Sequence, residues 1–396
     1  MDDPHDFNDE EIREALQNNN QALAVAKIQE HLDREKTIPL NIAVTGESGS
    51  GKSTFVNALR GIDNRDEGAA PTGSVETTTE VKPYPHPNYP NVTLWDLPGI
   101  GTTNFPAAEY MEHVGFEKFD FFIIISADRF RENDVKLSKE IQRMKKKFYF
   151  VRSKIDHSLS DGKRSQREFN EINTLKQIRD NCIQGLQKQG VESPQVFLVS
   201  SFDLHLFDFP LFEETLEREL PAHKRNALLF AMPNISQELI NKKKEALQAT
   251  IKYHASFSAL IAFAPIPGLS IAADLTLLVD TVQMYKSTFG LDHKSLQSLA
   301  LSAPVSLEDL RAVMTSPLAL QEISKDLIIK LLLMSAAAVA LMAAEEGSRY
   351  IPVFGIPLAM GLSFTSTYSA LSTFLNMLAD DAQRVFKRAL GLNTSV

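Results

Sequence analysis

The sequence contains a glycine-rich segment, residues 46–53, that fits the pattern Gly-x4-Gly-Lys-Ser/Thr and is called the P-loop below. A β-like run at 40–44 precedes it and a helical run at 54–59 follows it, which is the order that the pattern requires. Glycines let successive backbone N–H groups point inward, and the following helix directs its positive end at an anion. The segment therefore predicts a nucleotide phosphate site in an α/β domain, whereas an isolated match would be read as a glycine-rich turn.

Within the P-loop, Lys52 is predicted to reach the β- and γ-phosphates, and Ser53 is predicted to ligate Mg²⁺. The residues predicted to contact the nucleotide in this segment are Glu47, Ser48, Gly49, Ser50, Gly51, Lys52, Ser53 and Thr54.

A second phosphate element follows the strand-like run 91–95, which ends in Asp96-Leu97-Pro98-Gly99. At a strand's carboxyl edge, Asp96 can hold Mg²⁺ through water and the Gly99 N–H can meet the γ-phosphate. An isolated Asp-x-Pro-Gly is commonly a plain turn. Its place after a predicted strand favours the nucleotide role.

A guanine-reading element is predicted at residues 153–156. The apolar runs 120–126 and 147–152 are typical of buried parallel strands, and the second leads directly into Ser153, Lys154 and Asp156. Asp156 can accept hydrogen bonds from the guanine N1–H and exocyclic amine, and the Lys154 stem can cover the base. Adenine lacks that pair of donors, so the element discriminates between the two bases.

A last strand is predicted at 195–199 and ends at Ser200 and Ser201, a small polar pair suited to the far edge of the base. Five strand ends would then meet at one nucleotide, as expected where ligands bind at the carboxyl ends of an open α/β sheet.

The chain divides by pattern into three segments: 1–37, 38–220 and 221–396. The first is predicted to form two helices around Asn18-Asn19-Asn20, the second is the nucleotide domain, and the third is helical. The polar stretch from Ser158 to Arg167 is predicted to be a surface loop.

Composition fits a cytoplasmic protein. The chain has 396 residues, enough for two domains, and a formal net charge of −9, which argues against nucleic-acid binding through a basic surface. Its single cysteine, Cys182, cannot form an internal disulfide and is predicted to lie in a helix core. The acidic N-terminus lacks a signal-peptide pattern, so secretion is not expected.

The run 327–344 leaves three alternatives open, because its only charged residue is Lys330 and its length is at the lower limit for a membrane span. It can be a buried core helix, which the alanine content favours, a segment in reversible membrane contact, or a true span.

Several motifs together resemble the interferon-inducible, immunity-related GTPases of vertebrates. They are the P-loop, 68–78, 83–87, 95–101, 149–156 and 208–210, with a looser match through 285–292. The resemblance implies a Ras-like P-loop GTPase domain with a helical domain formed by the N- and C-terminal segments. It also implies binding of GTP and GDP with Mg²⁺, GTP hydrolysis, dynamin-like self-assembly as a homodimer or oligomer through the GTPase domain, and peripheral action at intracellular membranes.

The resemblance also assigns roles around the γ-phosphate. Thr78 is expected to meet Mg²⁺ and the γ-phosphate, and Glu47 and Glu76 are expected to take part in catalysis where two GTPase domains pair across the nucleotide; the alternative for Glu47 is an exposed residue without a role. Ras-like enzymes carry a water-positioning Gln shortly after this Gly, but the residue after Gly99 is the apolar Ile100. Slow hydrolysis by an isolated subunit is therefore expected.

Two departures from the family pattern are visible. Ser153 stands where most GTPases carry Asn and this family commonly carries Thr, and the chain begins Met1-Asp2 without the Gly that myristoylation requires, so that lipid anchor is not expected.

Three functions remain open from the sequence. The favoured interpretation is a self-assembling GTPase of cell-autonomous innate immunity that acts at membranes. The chain can instead be a nucleotide-regulated scaffold with negligible turnover. It can also be a non-immune relative in constitutive membrane organisation.

Overall fold

The structure is a computed structural model. It describes residues 9–73, 80–99, 114–128, 131–263, 271–332 and 358–392. The chain forms two compact units. The sheet unit comprises the described part of 39–236, and the helical unit comprises the described parts of 1–38 and 237–396.

The sheet unit is built on one sheet in which the described residues form six strands in the order β2-β3-β1-β4-β5-β6. Their bounds are β1 Leu40–Gly46, β2 Lys82–Pro85, β3 Val92–Asp96, β4 Phe121–Ser126, β5 Lys147–Arg152 and β6 Val196–Leu198. All neighbouring pairs are parallel except β2 with β3. The predicted α/β fold class is confirmed.

The central strands are apolar because both faces of the sheet are covered. All six residues of β4 are buried, and β1 is buried except for the partly exposed Asn41. Strands that are covered on both faces read as continuous apolar runs instead of alternating ones. This explains why β1, β4 and β5 could be located from the sequence to within a few residues.

Strand β2 was not predicted. It contains Pro83 and Pro85, and proline is confined to edge strands because it cannot donate to the ladder. In the structure β2 is an edge strand that pairs antiparallel with β3, with Tyr84 opposite Leu94. Of the four residues of β2, only Tyr84 is buried.

The described helices of the sheet unit follow the strands in chain order. They are α3 Lys52–Leu59, α4 Glu132–Arg143, α5 Ile155–Ser165, α6 Glu171–Gln187, α7 Phe209–Glu219 and α8 Ala222–Ala231, with a short 3₁₀ helix at Phe116–Lys118. Cys182 lies in α6 and is buried, and burial raises the pKa of its thiol to about 11. A thiol with so high a pKa is unreactive at neutral pH.

One prediction in this unit was wrong. The stretch from Ser158 to Arg167 was predicted to be a loop, but α5 includes most of it. The helix is polar on its outer side and buries Ile155 and Leu159 on its inner side. Two buried apolar residues four apart are enough to pack one helical face.

The predicted boundary at residue 220 also differs from the structure, in which residues 221–236 belong to the sheet unit. Helix α8 packs against β1 and β3, and it buries Leu228 and Leu229. The helical unit therefore resumes at Gln237.

The helical unit combines the two ends of the chain. Its described helices are α1 Asp9–Gln17, α2 Gln21–Thr37, α9 Gln237–Phe263, α10 Ile271–Thr288, α11 His293–Ser302, α12 Leu307–Ala312, α13 Pro317–Leu320, α14 at 325–332 and α15 Leu358–Ala389. Asn20 separates the first two and caps α2, since its Oδ1 accepts from the Leu23 N–H at 3.1 Å. Helix α9 packs along α15 and against α2, with Ile28, Leu260 and Phe364 in the shared core.

The run 327–344 lies only partly within the described residues. Leu327, Ile328 and Leu331 are buried in α14, whereas 333–344 lie outside the described residues. Within the described ranges, no helix combines the length and apolar character needed to cross a bilayer.

Candidate nucleotide-binding site

The P-loop connects β1 to α3 at the carboxyl edge of the sheet. The loop begins at Gly46, where a Cβ would lie 2.1 Å from the carbonyl oxygen of Ile125 in β4. Its φ is +142°, a conformation that side-chain-bearing residues rarely adopt. Glycine is therefore required at this position by both space and backbone geometry.

Lys52 is the first residue of α3 and is buried. Its Nζ donates to the Glu47 carbonyl oxygen at 2.9 Å, so the ammonium lies across the loop. Ser50 is also buried, and its Oγ has no hydrogen-bond partner among the described residues. Ser48 and Gly49 are exposed at the loop tip, and Gly51 and Thr54 are partly buried at the start of α3. The loop thus presents an ammonium, a hydroxyl and a helix N-terminus in one place, which suits a phosphate.

The predicted metal ligands Ser53 and Asp96 meet in the structure. The Ser53 Oγ donates to Asp96 Oδ2 at 2.6 Å, and Asp96 is completely buried at the end of β3. A hydroxyl and a carboxylate are hard oxygen ligands of the kind that Mg²⁺ prefers. The donor set fits Mg²⁺, which when bound would neutralise charge on the phosphate oxygens. The third predicted ligand, Thr78, lies outside the described residues.

Gly99 lies directly against the P-loop. A Cβ at Gly99 would be 2.9 Å from the Ser48 backbone nitrogen and 3.0 Å from its Cα, closer than real Cβ atoms approach a backbone. Such contact brings the 96–99 turn to the loop tip, where a γ-phosphate would end. Glu76 and Ile100, which were expected to act at this end of the nucleotide, lie outside the described residues.

The guanine element is tied to the P-loop by two side chains. Ser153 is buried, and its Oγ donates to the Ser50 carbonyl oxygen at 2.7 Å and lies 3.3 Å from the Ser126 carbonyl oxygen. Lys154 has a left-handed backbone with φ of +55°, and its Nζ donates to the Gly49 carbonyl oxygen at 2.8 Å. The serine at the usual asparagine position therefore still links the two loops.

Asp156 lies in the first turn of α5, next in the chain to the exposed His157. The carboxylate is 32% exposed, and its Oδ2 is 3.6 Å from the His157 Nε2. Part of this carboxylate is accessible to a ligand, as pairing with a base requires.

Ser200 and Ser201 follow β6 and lie beside the guanine element. The two segments are joined by a hydrogen bond in which the Ile155 N–H donates to the Val199 carbonyl oxygen at 3.2 Å. Ser200 is fully buried, and its Oγ is without a hydrogen-bond partner in the described part of the chain. Ser201 is half-buried. A buried hydroxyl without a partner is uncommon in proteins and is consistent with a ligand contact.

Glu47 has hydrogen-bond partners within its own chain that the sequence did not reveal. Its Oε2 accepts from Arg131 Nη1 at 2.8 Å and its Oε1 accepts from Asn133 Nδ2 at 2.9 Å, and the side chain is 20% exposed. Its side chain is therefore not exposed, contrary to what the alternative for Glu47 supposed. Arg131 and Asn133 are 84 and 86 residues away in sequence, and no spacing pattern connects residues so far apart.

The same corner of the site contains a buried acid. Asp134, in the first turn of α4, accepts from the Arg131 backbone N–H at 3.0 Å and from the Ser126 Oγ at 3.1 Å. Burial raises the pKa of its carboxyl to about 6, against the opposing effect of these two hydrogen bonds. Asp134 thus connects the start of α4 to the end of β4, beside the guanine element.

The fold and the arrangement of these residues are those of a P-loop nucleotide-binding protein. The loop that would contact the nucleotide base, the guanine element, carries the carboxylate of Asp156. The family model described as Interferon-inducible GTPase (IIGP) matches residues 7–389. The chain therefore belongs to the interferon-inducible GTPase family of immunity-related proteins, and it is a GTP-binding protein and a GTPase. The resemblance seen in the sequence is confirmed.

The sequences of individual relatives align with most of the chain. Interferon-inducible GTPase 5 of Rattus norvegicus is 43% identical over 383 residues, covering 96% of this chain and 82% of the relative. Interferon-gamma-inducible GTPase 10 of Mus musculus is 41% identical over 366 residues, covering 92% and 84%. Among solved structures, Toc33 from Arabidopsis thaliana in complex with GDP and Mg²⁺ has a TM-score of 0.32 and 14% identity, covering 44% of this chain and 76% of that one. A TM-score this low supports no inference about function.

Proposed function

We propose that this GTPase hydrolyses GTP efficiently only when sheet units of two chains pair across the nucleotide. The observation that carries the proposal is the residue after Gly99. Gly99 is packed on the P-loop tip, and the residue that follows it in the sequence is the apolar Ile100. Since Ile100 cannot orient water, polar groups must come from elsewhere, and a second subunit is the source that family membership favours.

The nucleotide would be held with Mg²⁺. In this proposal Lys52 neutralises the β- and γ-phosphates, Ser53 and Asp96 hold the metal with Thr78, and the Gly99 N–H meets the γ-phosphate. Asp156 would accept from the guanine N1–H and amine, with Ser200 and Ser201 at the base edge. The buried positions of Lys52 and Asp96 and the contact between Ser53 and Asp96 support these roles.

Self-association would be GTP-dependent and would take place at the surface of intracellular membranes, as part of cell-autonomous immunity. The interferon responsiveness in the relatives' names supports an immune role for this chain. We expect the protein to be cytoplasmic and to bind membranes peripherally. Rising transcript levels after interferon treatment would support the immune assignment, and unchanged levels would favour a constitutive relative.

Sedimentation velocity tests the self-association. With a non-hydrolysable GTP analogue the chain should sediment as a dimer or larger species, and with GDP as a monomer. Asp156→Asn, which should not hold GTP, is the matched control and should stay monomeric with either nucleotide. Monomers under all conditions would contradict the proposal and favour a scaffold without nucleotide-driven assembly. Flotation with phospholipid vesicles, compared between the two nucleotides, tests the membrane step separately.

A further inference from the structure

The carboxylate of Glu47 is held by the N-terminal end of α4. Arg131 binds one of its oxygens and Asn133 binds the other, so both oxygens are occupied within a single chain. Arg131 also contacts Asp128, whose Oδ2 accepts from Arg131 Nη2 at 2.5 Å. A guanidinium that donates to two carboxylates at once is restricted in orientation.

The backbone beneath this contact is anchored. The Arg131 N–H donates to Asp134, which is buried and also accepts from Ser126 at the end of β4. Ser126 offers its carbonyl oxygen to the Ser153 N–H at 2.9 Å. The position of Arg131 is thus fixed by the same strand end that supports the guanine element.

The electrostatic consequence concerns the phosphates. Glu47 is the second residue of the P-loop, and its own carbonyl oxygen accepts from the Lys52 ammonium that is predicted to neutralise the β- and γ-phosphates. A bare carboxylate on this loop would repel a bound nucleotide, and it would repel GTP more than GDP because GTP carries the additional γ-phosphate charge. Arg131 supplies a positive charge 2.8 Å from the carboxylate, and Glu47 shares that charge with Asp128.

We propose that Arg131 is a positioning residue that offsets the charge of Glu47 and thereby raises the affinity of this site for GTP relative to GDP. Asn133 orients the carboxylate without changing its charge. The proposal rests on nucleotide binding at the P-loop and does not require self-assembly. Nucleotide affinity can therefore test it separately from the assembly step. It also gives Glu47 a role within its own chain.

Nucleotide binding by single chains tests the proposal. Fluorescent GDP and a fluorescent non-hydrolysable GTP analogue are titrated at a protein concentration where the chain is monomeric. Arg131→Ala should weaken the GTP analogue about two- to fivefold more than GDP, the range expected for a partly exposed ion pair. Added salt should shrink this selective loss, since the Arg131 side chain is 52% exposed.

A double-mutant cycle identifies the cause. Glu47→Gln removes the P-loop carboxylate that Arg131 balances, so Arg131→Ala should discriminate against GTP less in the Glu47→Gln background than in the unmodified chain. Arg131→Lys keeps the charge and should retain most of the GTP affinity relative to GDP affinity. Asn133→Ala should affect both nucleotides equally. Arg143→Ala is the matched control, because Arg143 lies at the opposite end of α4, is 68% exposed and pairs with the neighbouring Glu140.

Equal weakening of both nucleotides by Arg131→Ala would overturn the proposal, as would a selective loss that is equally large in the Glu47→Gln background. The same selective loss in Asn133→Ala would also overturn it, because charge would then not be the cause. If Arg131→Ala fails to fold, Glu47→Gln alone remains decisive. It should keep or raise the GTP-to-GDP affinity ratio, and a lower ratio would refute the proposal.

Discussion

Ser153 connects the guanine element to the P-loop, and Ser153→Ala would remove that connection. The hydroxyl is buried and donates to the Ser50 carbonyl oxygen at 2.7 Å, while Ser50 is itself buried. Deleting the donor removes a hydrogen bond worth about 0.5–1.5 kcal/mol and leaves a buried acceptor without its partner, so a total near 1–2 kcal/mol is expected.

The loss should be visible in two measurements. The affinity for GDP should fall about five- to thirtyfold, because each 1.4 kcal/mol corresponds to tenfold and the two loops are no longer held in the binding geometry. The melting temperature should fall by about 2–8 °C, given roughly 2–4 °C per kcal/mol in a domain of this size. Fluorescent-nucleotide titration and thermal unfolding provide the two values.

Two further variants serve as controls for this test. Ser153→Thr keeps the hydroxyl and should retain most of the affinity. Ser165→Ala is the matched control and should leave both values unchanged, since the contacts of the Ser165 hydroxyl within the described part of the chain are exposed ones to the α5 backbone. Unaltered GDP affinity in Ser153→Ala would refute the reasoning that this hydroxyl connects the two loops.

Further outcomes are expected around the site. Asp156→Asn should weaken GTP and GDP binding far more than xanthine nucleotide binding, because charge-assisted hydrogen bonds are worth about 1.5–3 kcal/mol each, and equal affinity of the unmodified protein for ATP and GTP would contradict the assignment. Lys52→Ala should abolish turnover, and Ser53→Asn should favour GDP over GTP; full activity of Lys52→Ala in a hydrolysis assay would exclude the P-loop as the catalytic site. Because the pKa of the Asp134 carboxyl is raised to about 6 in the folded protein, this group stabilises the fold below its ordinary pKa of 3.8, and that contribution is lost as pH rises through 6. Chemical unfolding between pH 4 and 7.5 should therefore show a smaller decline for Asp134→Asn than for the unmodified chain, and parallel curves would refute the assignment.

Local sequence patterns predicted the parts of the site that local chemistry determines. The P-loop and the guanine element each follow a buried apolar strand, and a strand covered on both faces has a recognisable composition. The 96–99 turn follows β3, in which every second residue is buried. Edge strand β2 escaped prediction because Pro83 and Pro85 oppose the usual strand signal.

Contacts between distant segments could not be predicted from the sequence. The pairing of Glu47 with Arg131 depends on where α4 starts relative to the P-loop, and no periodicity encodes that distance. Helix α5 was missed for a related reason, since only Ile155 and Leu159 mark its buried face within a polar stretch. The Glu47–Arg131 pair and helix α5 both depend on tertiary packing, which a local sequence pattern does not contain.

The most direct test of the central claim is GTP turnover per subunit, measured from well below to well above the concentration at which subunits associate. We predict that turnover per subunit rises with concentration, because Ile100 cannot orient the attacking water and a second subunit must supply the missing group. A catalytic group lent by a partner protein is worth about 10³–10⁵ in rate in other GTPases, so even a fraction of that effect is measurable. Turnover per subunit that stays constant across the whole range would show that the active site is complete within one chain.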